Sequence, residues 1–162
     1  MTFEFFSEQQ PTQSRKNGRL NVYLDETIKQ IDNEEEQSTQ YGYTVLRLPV
    51  TTPPKQVVAA VRYHYEVAGI NVGGLQIATD DRSKTLIAGK WNRAMLAKQE
   101  GDTAWTCRFK APTGWTVLDA DQMITIGLAV EDHVQRCFDR EGELAEAIES
   151  GEGYDLRAGW PG

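Results

Sequence analysis

The chain has 162 residues, of which 40% are hydrophobic and 25% charged, with a formal net charge of -7. These proportions belong to a folded globular protein and exclude a disordered or collagen-like one, while the acidic balance opposes nucleic acid and anionic lipid, whose phosphates the field of the molecule repels. No run approaches the roughly 20 apolar residues of a membrane helix, Met1 to Glu8 lacks the positive flank of a signal peptide, and the two cysteines are too few for a disulfide scaffold; the sequence predicts a soluble, cytoplasmically made chain, without cofactor, whose partners are proteins.

Residues 1–50 read as a small N-terminal β module. Phe3 to Phe6 is a short aromatic strand, and Pro11, Asn17 and Gly18 interrupt the chain before alternation resumes at Arg19 to Leu24. Asp25-Glu26 is expected to turn the chain into Thr27 to Ile31. The polar run Asp32 to Thr39, with Glu34, Glu35 and Glu36, reads as an acidic loop before β-formers return at Tyr41 to Val50. Three or four strands are expected.

Residues 51–150 read as helix, hairpin, helix, hairpin, long helix. Thr51-Thr52-Pro53-Pro54 supplies a cap and prolines suited to a first helical turn, and Val57, Val58, Val61 and Tyr65 form its apolar stripe to about Glu66. Ile70 to Ile77 around Gly73-Gly74 predicts a hairpin whose tight turn needs positive φ. Asp80 and Asp81 can cap a second helix, Arg82 to Ala97, with Leu86, Ile87, Trp91, Ala94 and Met95 inward and Arg82, Lys90 and Arg93 on the opposite face. Trp105 to Lys110 and Trp115 to Leu118 flank a four-residue loop, Ala111 to Gly114. Asp119 with Gln122 has the spacing of a capping box, and the third helix then runs to about Ser150, a length of about 45 Å. The fold class expected is therefore α+β, closed by an extended C-terminal tail over residues 151–162 that is too rich in glycine for a helix.

Several segments carry a resemblance: Gly69 to Asp80, Arg82-Ser83-Lys84 opening a helix, Phe109 to Trp115, and His133 to Phe138. Over Arg62 to Ser150 the chain resembles an uncharacterised domain family of bacteriophage and prophage proteins, often encoded near tail-fibre genes. The ending Ala158-Gly159-Trp160-Pro161 is similar to endings in such proteins, whereas residues 1–50 carry no resemblance. The family implies no catalytic residues and a phage tail context: a non-enzymatic virion structural protein of the tail, baseplate or tail-fibre attachment, made in the host bacterial cytoplasm. A tail-fibre assembly chaperone is the alternative, and a small enzyme with an unrecognised site the third.

Each candidate chemical site also has a plainer structural reading. His133 and Cys137 stand at i and i+4, and His64 with Cys107 could complete four metal ligands, but buried free cysteine and a core histidine explain the same pattern. Asp132-His133 near Cys107 could be drawn as a nucleophilic site, against a partly exposed helix histidine. Gly69 to Gly74 has the wrong spacing for a dinucleotide fingerprint. Asp32 with the triple glutamate lacks the alternating ligands and bend glycine of a calcium loop.

The partner-binding residues expected from the sequence lie at the C-terminal end. Met123, Gly127, Val130, Val134, Cys137, Glu141, Leu144 and Ile148 alternate 4 and 3 apart, a seam of the coiled-coil type, and so long a helix should overrun its domain. Leu144 and Ile148 are expected to contact a second copy or another tail protein, in a homo-oligomer or hetero-complex. Tyr154, Leu156 and Trp160 are expected to dock on a neighbour, with packing against the chain's own β module as the competing possibility.

Overall fold

The computed structural model describes residues 1–33 and 36–162, with side chains described outside 30–38. It is a mixed α+β protein with an N-terminal sheet and three helices. Two compact units divide the chain, one formed by residues 1–61 and 141–159 and the other by 62–140 and 160–162.

The first unit holds strands β1 (Thr2–Phe6), β2 (Gln13–Lys16), β3 (Arg19–Asn33) and β4 (Glu36–Pro49). They form one antiparallel sheet in the order β1-β4-β3-β2. Asn17 and Gly18 both adopt positive φ, 52° and 70°, so they form the two-residue turn for which Asn-Gly is best suited, and β2 is a strand that the polar composition of Gln13 to Lys16 conceals. Asp25-Glu26 does not turn the chain. β3 continues through it, the register slipping between Leu24 and Thr27 with Asp25 at φ 53°, a local irregularity of the bulge type. Nor is Asp32 to Thr39 a loop throughout, since Asp32 pairs with Gln37 and Asn33 with Glu36; ladder pairing satisfies the backbone whatever the side chains are. Glu34 and Glu35 lie outside the described residues.

Alternation places Tyr23, Tyr41, Tyr43, Val45 and Phe6 on one sheet face, where they pack as a cluster. Phe6 and Tyr23 meet edge to face, their centroids 5.5 Å apart. Val22 and Leu24, at the alternate positions, are also buried.

The second unit contains hairpins β5–β6 (Ile70–Val72, Leu75–Ile77) and β7–β8 (Thr106–Ala111, Gly114–Asp119). Helix α2 (Asp81–Glu100) lies wholly within it, while α1 (Pro54–Glu66) and α3 (Ala120–Ser150) contribute residues to both units. Asp80 caps α2 by accepting from the Ser83 N–H at 3.1 Å, and Gly101 ends it in the left-handed region. Asp119 and Gln122 bond reciprocally at 3.0 and 2.8 Å, a capping box that turns β8 directly into α3. The core joins Ile77, Ile87, Ala94, Phe109, Leu118, Met123, Ile126 and Val130, each large aliphatic burial contributing about 1.5–3 kcal/mol. Leu86 and Met95, expected inward, are exposed, and Ala97 is buried instead; the buried line of α2 follows Ile87, Ala94 and Ala97, with Trp91 half-buried beside it and Leu86 and Met95 on its flanks. The β7–β8 loop is two residues, Pro112-Thr113, rather than four.

Candidate functional site

The open edge of β8 is built by the pairing within its own hairpin. Ala111 faces Gly114 across the loop, followed by Lys110 with Trp115 and Arg108 with Val117. In an antiparallel hairpin with a two-residue loop the closing pair is hydrogen-bonded, so every second pair turns its N–H and C=O groups outward. Two contacts agree with that phase. The Arg108 carbonyl accepts from Lys90 Nζ at 3.1 Å, covering the outer side of β7, and the outward Asp119 N–H is taken by Gln122. Trp115 and Val117 therefore point their backbone groups to the outer side of β8, which among the described residues pairs with β7 alone.

The side chains match this edge. Trp115 is 64% and Val117 61% exposed, and Arg108 and Lys110 lie 5.1 and 5.9 Å from the Trp115 ring centroid. On the inner side of the same strand, Thr116 and Leu118 border a hollow of about 440 Å³ with Val72, Leu75, Thr125 and Ile126. A strand added to β8 would thus find backbone partners, an aromatic and basic outer face, and a mainly apolar hollow for its alternate side chains. That combination is what β-strand addition requires, and it is an edge without the proline or bulge that commonly protects one.

The sequence-expected partner residues lie elsewhere. Leu144 and Leu156 are 2% and 1% exposed, occupied inside the chain itself, so neither is presented to a neighbour. Ile148 is half-buried and Tyr154 exposed. Trp160 is half-buried and stacks on Tyr65 with centroids 5.2 Å apart and planes 10° from parallel. In the tail, Arg157 donates to the Tyr23 and Gln10 carbonyls at 2.9 and 2.7 Å. Residue 157 thus binds the chain's own sheet, the competing possibility for this segment. The sequence marks Trp115 and Val117 as strand residues through their alternation with Leu118, but carries no signal that this strand ends a sheet.

The titratable candidates are held in structural roles. His133, 2% exposed, has Nε2 3.1 Å from the Tyr65 carbonyl, and its Nδ1 has no partner among the described residues. Burial keeps its imidazole below the usual value of 6.5. Cys137 Sγ lies 4.0 Å from His133 Nε2, and burial raises both the Cys137 and Cys107 thiols, which disfavours the thiolate a nucleophile needs. Among the described residues no three potential ligands converge on a metal position. The buried Glu66 carboxylate pairs with Arg62 and Lys84, and its carbonyl accepts from Thr79, whose hydroxyl in turn accepts from the Gly69 N–H at 3.0 Å. This network fixes the end of α1 to the following hairpin.

Fold and site together define an α+β protein with a two-stranded hairpin whose β8 edge has no second strand among the described residues. Residues 51–158 match the family model described as domain of unknown function (DUF4376), and the chain belongs to that family. Residues 1–50 lie outside the match. Neither the curated proteins nor the solved structures contain a match to the chain.

Proposed function

We propose that the chain is a non-enzymatic bacteriophage structural protein of the tail, baseplate or tail-fibre attachment, and that β8 is where it receives an extended segment of another tail protein. The uncovered edge with Trp115 and Val117 exposed beside the hollow is the observation that carries the contact reading. The phage context draws on the sequence resemblance over Arg62 to Ser150. The absence of a membrane-length apolar helix among the described residues is compatible with a place in the particle.

Mass spectrometry of purified particles from a phage or prophage encoding the chain tests the reading. Stoichiometric presence supports a structural part. Absence from particles together with binding to the fibre protein in lysates selects the assembly-chaperone alternative, and absence from both removes the tail reading.

A further inference from the structure

The face of the N-terminal sheet opposite Val22 and Leu24 carries a second feature, independent of strand docking at β8 and outside the matched family region. Near the Asn17-Gly18 turn the sheet is hollowed into a cup of about 390 Å³, within the size range of small-ligand pockets. Asn21 lies in its lining and is only 8% exposed. Its side-chain amide makes no hydrogen bond to another described residue and borders the cup, where a ligand that enters could meet it. Lys16 and Arg19 are direct cross-strand neighbours in the same lining, both exposed and neither with an anionic partner among the described residues. Like charges opposite one another destabilise a sheet, so an arrangement that keeps them together around an unpaired amide is one that an anion would relieve.

Two further walls narrow the ligand. Arg47, paired across the ladder with Asn21, donates to Thr2 Oγ1 at 2.7 Å and forms an ion pair with Glu4. Its hydrogen bond holds the Glu4 carboxyl below the usual carboxylate value, so the cup contains a standing negative charge beside three cations. The half-buried Phe6 ring closes the remaining side. We propose that this cup binds a sugar acid, a hydroxylated ring bearing a carboxylate. Lys16 and Arg19 take the carboxylate, the Asn21 amide and the Glu4–Arg47 pair take ring hydroxyls, and Phe6 faces the apolar C–H side of the ring. A doubly charged phosphate fits less well, because Glu4 repels it while accepting hydroxyl donors.

The test follows the Asn21 side-chain amide of the full-length protein by NMR during titration with glucuronate, galacturonate and N-acetylneuraminate, with glucose, acetate and inorganic phosphate as controls. The site predicts a saturable shift with at least one sugar acid, weaker effects from all three controls, and a Kd raised at least about tenfold in Lys16→Ala and Arg19→Ala, the loss of one charge-assisted hydrogen bond. Both substitutions are at exposed positions, and a thermal melt of each variant establishes that it is folded. Acetate or phosphate binding as well as the sugar acids would reduce the cup to an unselective cationic patch and overturn the proposal. So would the absence of any Asn21 shift in the unsubstituted protein.

Discussion

Replacing Arg157 by alanine removes the contacts that hold the C-terminal segment to the sheet. Its Nε and Nη2 donate to the carbonyls of Tyr23 and Gln10 at 2.9 and 2.7 Å, its guanidinium carbon lies 5.2 Å from the Tyr43 ring centroid, and Nη1 is 3.8 Å from Glu26. A hydrogen bond from a charged donor contributes about 1.5–3 kcal/mol. The side chain is 20% exposed, so water can partly replace the lost donors and the lower end applies, giving about 3 kcal/mol for the two. The cation–π contact adds about 0.5–1 kcal/mol, and the long ion pair adds less than about 1 kcal/mol. Arg157→Ala should therefore lower stability by about 3.5–5 kcal/mol, equivalent to a fall of roughly 7–20 °C in Tm for a chain of this size. Arg157→Lys keeps the charge but loses the forked geometry and should recover about half of the loss. Urea titration and calorimetry measure both. An Arg157→Ala midpoint within about 0.5 kcal/mol of the original, the range of an uninvolved surface position, would refute the idea that this segment straps its own sheet.

Three further perturbations test the second unit. A Cβ at Gly127 would stand 2.6 Å from Trp91 Cγ, so Gly127→Ala should destabilise by about 1–3 kcal/mol, as overpacking does; an unchanged urea midpoint would mean that the Trp91 ring moves aside freely. Glu66→Ala removes the buried counter-charge shared by Arg62 and Lys84, whose side chains are 16% and 20% exposed; Lys84 keeps Asp81 at 3.1 Å, so the loss should be about 3 kcal/mol, the lower end for a broken buried pair, whereas a neutral result would show the cluster to be solvated. The pH dependence follows from His133, which the fold holds neutral while the unfolded chain takes up a proton near the usual value of 6.5. The stability it confers is full above that pH and lost as pH falls. The neighbouring charges Arg136 and Lys84 oppose protonation and Asp132 favours it. His133→Gln, an amide that can still donate to the Tyr65 carbonyl, should flatten the decline between pH 6.5 and about 5, above the range in which Glu4 and Glu26, lowered from 4.5, titrate. An identical slope in the variant would place the titration elsewhere.

Local chemistry was legible where one short segment determines the outcome. Asp80 and the Asp119/Gln122 pair mark helix starts because capping groups lie within a turn of the N–H groups they satisfy, and Pro54 marks one because its fixed φ and missing N–H suit a first helical turn. Gln13 to Lys16 was not legible as a strand, since its side chains are polar and its pairing with Arg19 to Val22 is set by the turn. The inward assignment of Leu86 and Met95 failed because hydrophobicity alone does not tell the flank of a helix from its buried line. Tail residue Arg157 could not be read from the sequence, because its acceptors are backbone carbonyls 134 and 147 positions away, and carbonyls have no sequence signature. The same limit hid the candidate site. The alternation of Trp115 and Val117 with Leu118 predicts a strand, but an edge is a property of the assembled sheet, and the exposed residues gain meaning only once β8 is seen to have no second strand neighbour among the described residues.

The most direct test of the account is incorporation of a doubly substituted chain, Trp115→Glu with Val117→Lys, into particles of a phage or prophage encoding it. Both positions are exposed, so the variant should stay folded and melt close to the original chain, while the altered side chains oppose a partner strand laid along β8. The account predicts that the unsubstituted protein is recovered with purified particles and that the folded variant is lost from them. Recovery of the variant at the original level would contradict a role for the β8 edge, and absence of the unsubstituted protein from the particles would contradict the structural role itself.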